Sequence, residues 1–231
     1  MPQKPLKKRI TCRVCGAEFY PHEKWQIYEE KLLLAEGVDV HRFLLYACKT
    51  YKKSDIQVIS YGGNSELRTF LEALKNLEDF LKVKTLVIAR DAETVVTSAI
   101  ESVKSSLGNT GLPVPSEPFQ FKQKNGVKTA FMLFPGPDRN NQCQTGTIED
   151  LCLATISKDP LLNCVNAFLE CAKQNQESDE ELKHQWKSKL YAYLAGKNDH
   201  AGKRLSQAAK EIVWNWDDEA MLPFQRIIHG M

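Results

Sequence analysis

"VKTLVIARDAE", residues 83–93, decides how the rest of the chain reads. It opens as a continuous apolar run, Leu86, Val87, Ile88 and Ala89, and leaves in acid, with Asp91 and Glu93 one residue apart. Apolar runs this short, bounded and without alternation, fit strands covered on both faces of a sheet. Two more precede it. "KLLLAEG", 31–37, is a strand ending at Gly37, and "IQVISYGG", 56–63, is a strand closed by two glycines.

Helical patterns separate these strands. Residues 40, 43, 44 and 47 of "VDVHRFLLYACKTY" are apolar at helical spacing. "SELRTFLEALKNLEDFL", 65–81, puts Leu67, Phe70, Leu71, Leu74 and Leu77 on one face, with Ser65 or Asn64 as cap. "TVVTSAIESVKSSLG", 94–108, reads as a third helix stopped by Gly108. Three strand–helix alternations predict an α/β fold with a mainly parallel, Rossmann-like sheet flanked by helices. After the Pro-rich "GLPVPSEP", residues 119–137 predict a hairpin, with Asn125-Gly126 supplying a type I′ turn. From "TIEDLCLATI" onward the pattern is helical. It includes a stripe of Leu182, Trp186, Leu190 and Leu194, and further helices within 202–216 and 219–228. The expected organisation is an N-terminal extension, 1–29, an α/β core, 30–150, and a helical C-terminal region, 151–231, packed on the core.

Composition limits the function classes. The 231 residues are 42% hydrophobic and 26% charged, which suits a globular protein with a full core. The apolar runs are far shorter than the roughly 20 residues of a membrane span. No charged-then-apolar signal opens the chain, so a cytoplasmic location is expected. A net charge of +2 leaves any polyanion binding to local patches, such as Lys4, Lys7, Lys8 and Arg9. Seven cysteines without an export signal read as reduced thiols. Cys12 and Cys15 have the spacing of half a zinc site, but no second pair follows. Completion would need His22, His41, Cys48 or a more distant group, so no stoichiometric zinc is expected.

Ligands of parallel α/β sheets collect at the carboxyl ends of the strands. Two strands here end in acid: one in Glu36, the other in Asp91 and Glu93. In an extended segment, side chains two apart point the same way, so Asp91 and Glu93 would converge. Glu36 would join them if the first and third strands are neighbours. Carboxylates so placed repel one another, and a hard divalent cation, Mg²⁺ or Mn²⁺, relieves the conflict. A competing reading makes Asp91 the cap of the helix near Thr94, with Glu93 in its first turn. Weaker candidates are His41, the "YGGNS" turn as a phosphate cradle, and Lys187 and Lys189.

"LLLAEG", then "YGG", then "LVIARDAE", in this order, resemble the Toprim domain of topoisomerases, primases and OLD-family nucleases. "GTIEDL", "KLYAYLAG" and "WNW" resemble a group of small uncharacterised prokaryotic Toprim-like proteins over about residues 30–231. The resemblance implies a metal-binding Glu at Glu36 and an Asp-x-Asp at Asp91 and Glu93, the second acid being replaced by Glu. It also implies a further acid near Asp39 and another at Glu149, beside Asp150. Thr147 as a helix cap, with Glu149 and Asp150 in the first turn, is the structural alternative for that segment. The function implied is Mg²⁺-dependent phosphodiester chemistry on DNA or RNA, of nuclease type. The chain shows no "GxxxxGK[ST]" motif, so any ATPase partner would be a separate protein. The alternative is a non-catalytic, Mg²⁺- and nucleotide- or nucleic-acid-binding adaptor. A phospho-acceptor receiver fits less well, because its acidic pair and its lysine are missing from the expected strand ends.

Overall fold

The computed structural model describes residues 26–175 and 185–231, together with two short paired strands, β1 (Ile10–Thr11) and β2 (Glu18–Phe19). Lys4, Lys7, Lys8, Arg9, Cys12, Cys15, His22 and Leu182 lie outside the described residues.

The three apolar runs are strands, and they alternate with helices in the expected order. β3 (Lys31–Glu36) leads to α1 (Gly37–Thr50), β4 (Ile56–Gly62) to α2 (Leu67–Lys75), and β5 (Thr85–Asp91) to α3 (Val96–Asn109). β6 (Lys122–Lys124) and β7 (Val127–Phe134) form the hairpin. Both residues of its Asn125-Gly126 turn have positive φ, 52° and 80°, as a type I′ turn requires. Five helices follow among the described residues: α4 (Ile148–Ala154), α5 (Leu161–Gln174), α6 (Gln185–Ala195), α7 (Leu205–Lys210) and α8 (Leu222–Gly230).

The helical readings need three corrections. The expected helix over 65–81 stops at Lys75, and a separate 3₁₀ turn, Glu78–Lys82, takes up the rest. Gly108 lies inside α3, which ends at Asn109, where the Thr110 hydroxyl bonds back to Ser106. Of the stretch 202–216 only Leu205–Lys210 is helical. The chain leaves it at Ile212, a residue with φ of 59° that no helix accommodates.

The sheet runs β4-β3-β5-β7-β6, with all but β6 mutually parallel. Strand side chains alternate, and every central strand feeds two cores. Leu33, Ala35, Val87, Ala89, Met132 and Phe134 face one side, where α1 and α4 to α8 pack. Leu32, Leu34, Leu86, Ile88, Phe131 and Leu133 face the other, against α2 and α3. On the first side Phe134 stacks on Phe224 of α8 at 5.0 Å, and Phe43 lies 4.9 Å from Trp216. Buried aromatic groups of this kind contribute on the order of 3–5 kcal/mol each, judged by truncation. This is an α/β fold with a mainly parallel, Rossmann-like sheet flanked by helices. No described helix is long and apolar enough to cross a membrane.

Candidate functional site

The strand order determines which acids meet. β3 runs beside β5, with Ala35 level with Ala89, so Glu36 and Asp91 leave adjacent strands at the same edge. Sequence order reverses here, since β4 lies on one side of β3 and β5 on the other. Such a switch point opens a crevice at the carboxyl ends of the strands. On the β4 side the register slips: Ala35 pairs with Ser60 but Glu36 with Gly62, leaving Tyr61 as the extra residue. A bulge of this kind re-aims side chains at a strand end.

Glu36 is held by backbone and faced by a cation. The Asp91 N–H donates to Glu36 Oε2 at 3.3 Å. Arg90 Nε stands 3.6 Å from the same oxygen, with the arginine side chain 2% exposed. The Arg90 guanidinium also donates to the Asp91 carbonyl, 3.3 Å, and to Ser102 Oγ of α3, 3.1 Å. Burial raises the Glu36 carboxyl above its ordinary range, while Arg90 and the Asp91 N–H pull it back. Arg90 is the residue sequence reasoning missed. Its signal was a lone charge inside "LVIARD", since arginine is almost never fully buried unless paired.

Asp91 does not cap the helix that follows it. α3 starts at Val96 without a side-chain cap. The Asp91 carboxylate instead accepts, through Oδ1, the Ile148 N–H at the start of α4, 2.9 Å away. Thr147 and Asp150 complete that terminus as a capping box, the Thr147 N–H donating to Asp150 Oδ2 at 2.9 Å. Glu149 projects from the same first turn. Burial, and then the charges of Glu149, Glu36 and Glu93, push the Asp91 carboxyl up to about 8 against the single opposing Ile148 N–H.

Glu93 reaches this place by a different route from strand alternation. β5 ends at Asp91, and Glu93 is a left-handed residue, φ 54°, with its side chain exposed. Its backbone forms a two-bond bridge with Gly146, Glu93 N–H to Gly146 O at 2.8 Å and the reverse at 2.7 Å. That bridge ties the β5 exit to the loop before α4. Gly146 has φ of +132°, and a Cβ there would stand 2.6 Å from Asp150 Oδ2.

The remaining candidates divide. Asp39, in the first turn of α1, acts with Glu149, Asp150 and Asp91 on the buried Cys152 thiol, and with Glu149 on Tyr191 of α6. It therefore borders the acidic group from the α4–α6 side. His41 faces the neighbouring strand: its Nε2 lies 3.3 Å from the Val58 carbonyl, and burial lowers its pKa. Tyr61, in the bulge, buries a hydroxyl that has no hydrogen-bond partner among the described residues, within the fields of Glu36, Arg90 and Asp91.

Among the described residues, no three acidic, histidine or cysteine side chains stand together as a ready-made metal cage. The chemistry of the donors nonetheless fits a hard divalent cation. Asp91 is driven toward its neutral form by burial and then by the charges of Glu149, Glu36 and Glu93, a conflict that a hard cation would relieve.

A family model described as "Protein of unknown function (DUF3226)" matches residues 30–230. No curated protein matches the chain. Among solved structures, a hypothetical protein of Pyrococcus horikoshii OT3 is similar at 16% identity and a TM-score of 0.57, covering 87% of this chain and 99% of that one. The C-terminal region of the Xanthomonas campestris pv. campestris OLD protein is similar at 13% identity and a TM-score of 0.48, covering 89% and 97%. The first likeness extends to the fold alone, and the second is too slight to support more.

Proposed function

We propose, for a chain that belongs to the DUF3226 family, Mg²⁺-dependent phosphodiester chemistry on DNA or RNA, of the nuclease type. The observation that supports this reading is the adjacency of Glu36 and Asp91 at the carboxyl ends of neighbouring strands, joined by the 3.3 Å bond from the Asp91 N–H, with the charges of Glu149 and Glu93 also acting on the half-buried Asp91. Asp91 and Glu93 would hold Mg²⁺ or Mn²⁺, Glu149 would help hold a second ion, and Asp39 borders the same group. A divalent cation bound there supplies neutralisation of phosphate charge and an acidified water.

The protein's own part is orientation and proton handling. The Ile148 N–H fixes Asp91 through one oxygen, and among the described residues the other has no hydrogen-bond partner. Glu36, anchored by the Asp91 N–H and faced by Arg90, has a raised carboxyl that suits it to take or give a proton at Oε. Arg90 also keeps the buried charge of Glu36 from being uncompensated. The sequence resemblance to Toprim domains supports the same assignment.

A non-catalytic Mg²⁺- and nucleotide- or nucleic-acid-binding module is the second reading. It is favoured by the exposed, left-handed Glu93, where Toprim domains carry the second Asp of their strand-end pair. One comparison separates the two. Single- and double-stranded DNA and RNA are incubated with wild type and with Asp91→Asn in Mg²⁺ or Mn²⁺. A nuclease loses at least about a hundredfold in rate in the variant, roughly 3 kcal/mol of transition-state stabilisation. An adaptor cleaves nothing as wild type, yet binds nucleic acid in an Mg²⁺-dependent way that weakens in the variant. Undiminished cleavage by a clean Asp91→Asn preparation rejects the site.

A further inference from the structure

Beside the acidic crevice lies a cavity of about 590 Å³, within the roughly 300–1,000 Å³ of small-molecule sites. It shares two segments with the acids. Val96 and Ile100 of α3 form one wall, and Val96 is three residues beyond Glu93. The loop between β7 and α4 forms another through Asn141, Gln142 and Cys143, and that loop ends at Gly146, bridged to Glu93. From this geometry we infer that the cavity takes an unstacked base of a single-stranded nucleic acid whose backbone crosses the acidic crevice. The inference rests on the proposed function for the identity of the chain it receives.

Three features select that occupant. The first is the apolar lining: Phe119 offers an aromatic ring on which a base can stack, and Pro118, Pro137 and Pro223 line the same cavity. Phe119 is held there at a cost. Its φ is +60°, an outlier for an aromatic residue, and it is pinned by its N–H to the Phe131 carbonyl, 2.8 Å, and by edge contact with Phe224, 5.1 Å. Backbone strain maintained by surrounding contacts marks functional positions more often than chance. The second is the amide set, Gln120, Asn141 and Gln142, which carries both donors and acceptors, as a base edge does. The third is charge. Arg226 is exposed at the cavity with no acidic partner among the described residues, whereas Glu117, the cavity's acid, faces Lys104 at 3.9 Å. The balance favours a ligand bearing phosphate.

Ligand-observed saturation-transfer NMR on the full chain, with each nucleoside 5′-monophosphate and with ribose 5-phosphate, tests this without any cleavage. Base protons should receive saturation from wild type, and ribose 5-phosphate should receive much less. Ile100→Trp, which fills the cavity from α3, should abolish the base signal. Arg226→Ala, at an exposed position that leaves the fold intact, should weaken monophosphate binding several-fold and leave the free nucleosides unchanged. Absence of a base signal in wild type overturns the inference. So does a signal equal to that of ribose 5-phosphate, or one unaffected by both substitutions. Cleavage without base binding would reject the cavity and keep the nuclease; base binding that survives in Asp91→Asn, with no cleavage by wild type, would keep the cavity and reject the nuclease.

Discussion

Replacing Asp91 by Asn should make the metal-free protein more stable at neutral pH. The Asp91 carboxyl titrates near 8 when folded, against an ordinary value of 3.8. Between those values the folded chain binds more protons than the unfolded one, so stability falls as pH rises. This is the reverse of a salt-bridged carboxylate: the contribution is fully present below about pH 4 and gone above about pH 8. Each pH unit in that window is worth up to about 1.4 kcal/mol, which sets a ceiling of roughly 4 kcal/mol at pH 7. Asp91 is only half-buried, so solvent relaxes part of the penalty, and an effect on the order of 2 kcal/mol is expected. Asn keeps a carbonyl oxygen for the Ile148 N–H and carries no charge for Glu36, Glu93 and Glu149 to repel. For a chain of this size the gain is about 4–8 °C in Tm. Thermal unfolding in chelator from pH 5 to pH 9 should show a declining wild-type profile and a flatter Asp91→Asn profile, crossing toward low pH. Added Mg²⁺ should then stabilise wild type, by about 2.7 kcal/mol at a hundred times its Kd, and the variant far less. Parallel pH profiles, or a variant less stable than wild type at pH 8 in chelator, would falsify the electrostatic account of the site.

Arg90→Leu should destabilise the fold by about 3 kcal/mol at neutral pH, because Glu36 loses its buried cation, and by progressively less as the pH falls and the Glu36 carboxyl, raised by burial, takes up a proton. Denaturant titration of the single variants and of Arg90→Leu with Glu36→Gln should recover part of that loss in the double variant. Additive losses would mean that the pair does not interact. Gly146→Ala should cost on the order of 2 kcal/mol, since its Cβ meets Asp150 Oδ2 and its φ of +132° suits only glycine. Both Asp91→Asn stabilisation and Mg²⁺ binding should weaken with it, because the Glu93 bridge and the α4 terminus are displaced together. Urea unfolding and a Mg²⁺ titration check the two halves, and an unchanged midpoint would contradict the steric reading.

The sequence by itself determined the strands, their parallel character and the acids at their ends. Those properties are local. Leu32 to Ala35 and Leu86 to Ala89 are apolar on both alternations, which requires cover on both faces, and Asn125-Gly126 carries its own turn geometry. What was not legible depended on neighbours distant in sequence. Nothing in "RDAE" says that Asp91 will accept an N–H from Ile148, 57 residues later, in place of capping the next helix. Glu93 lies beyond the strand in a left-handed conformation and is bridged to Gly146, so strand alternation does not describe how it leaves β5. Arg90 reads as an anomaly until β3 is placed beside β5 and Glu36 comes within 3.6 Å. Local propensity fixes which residues end a strand, but sheet order and register decide which ends are adjacent. A carboxylate becomes a site only through the charges and donors that tertiary structure brings to it.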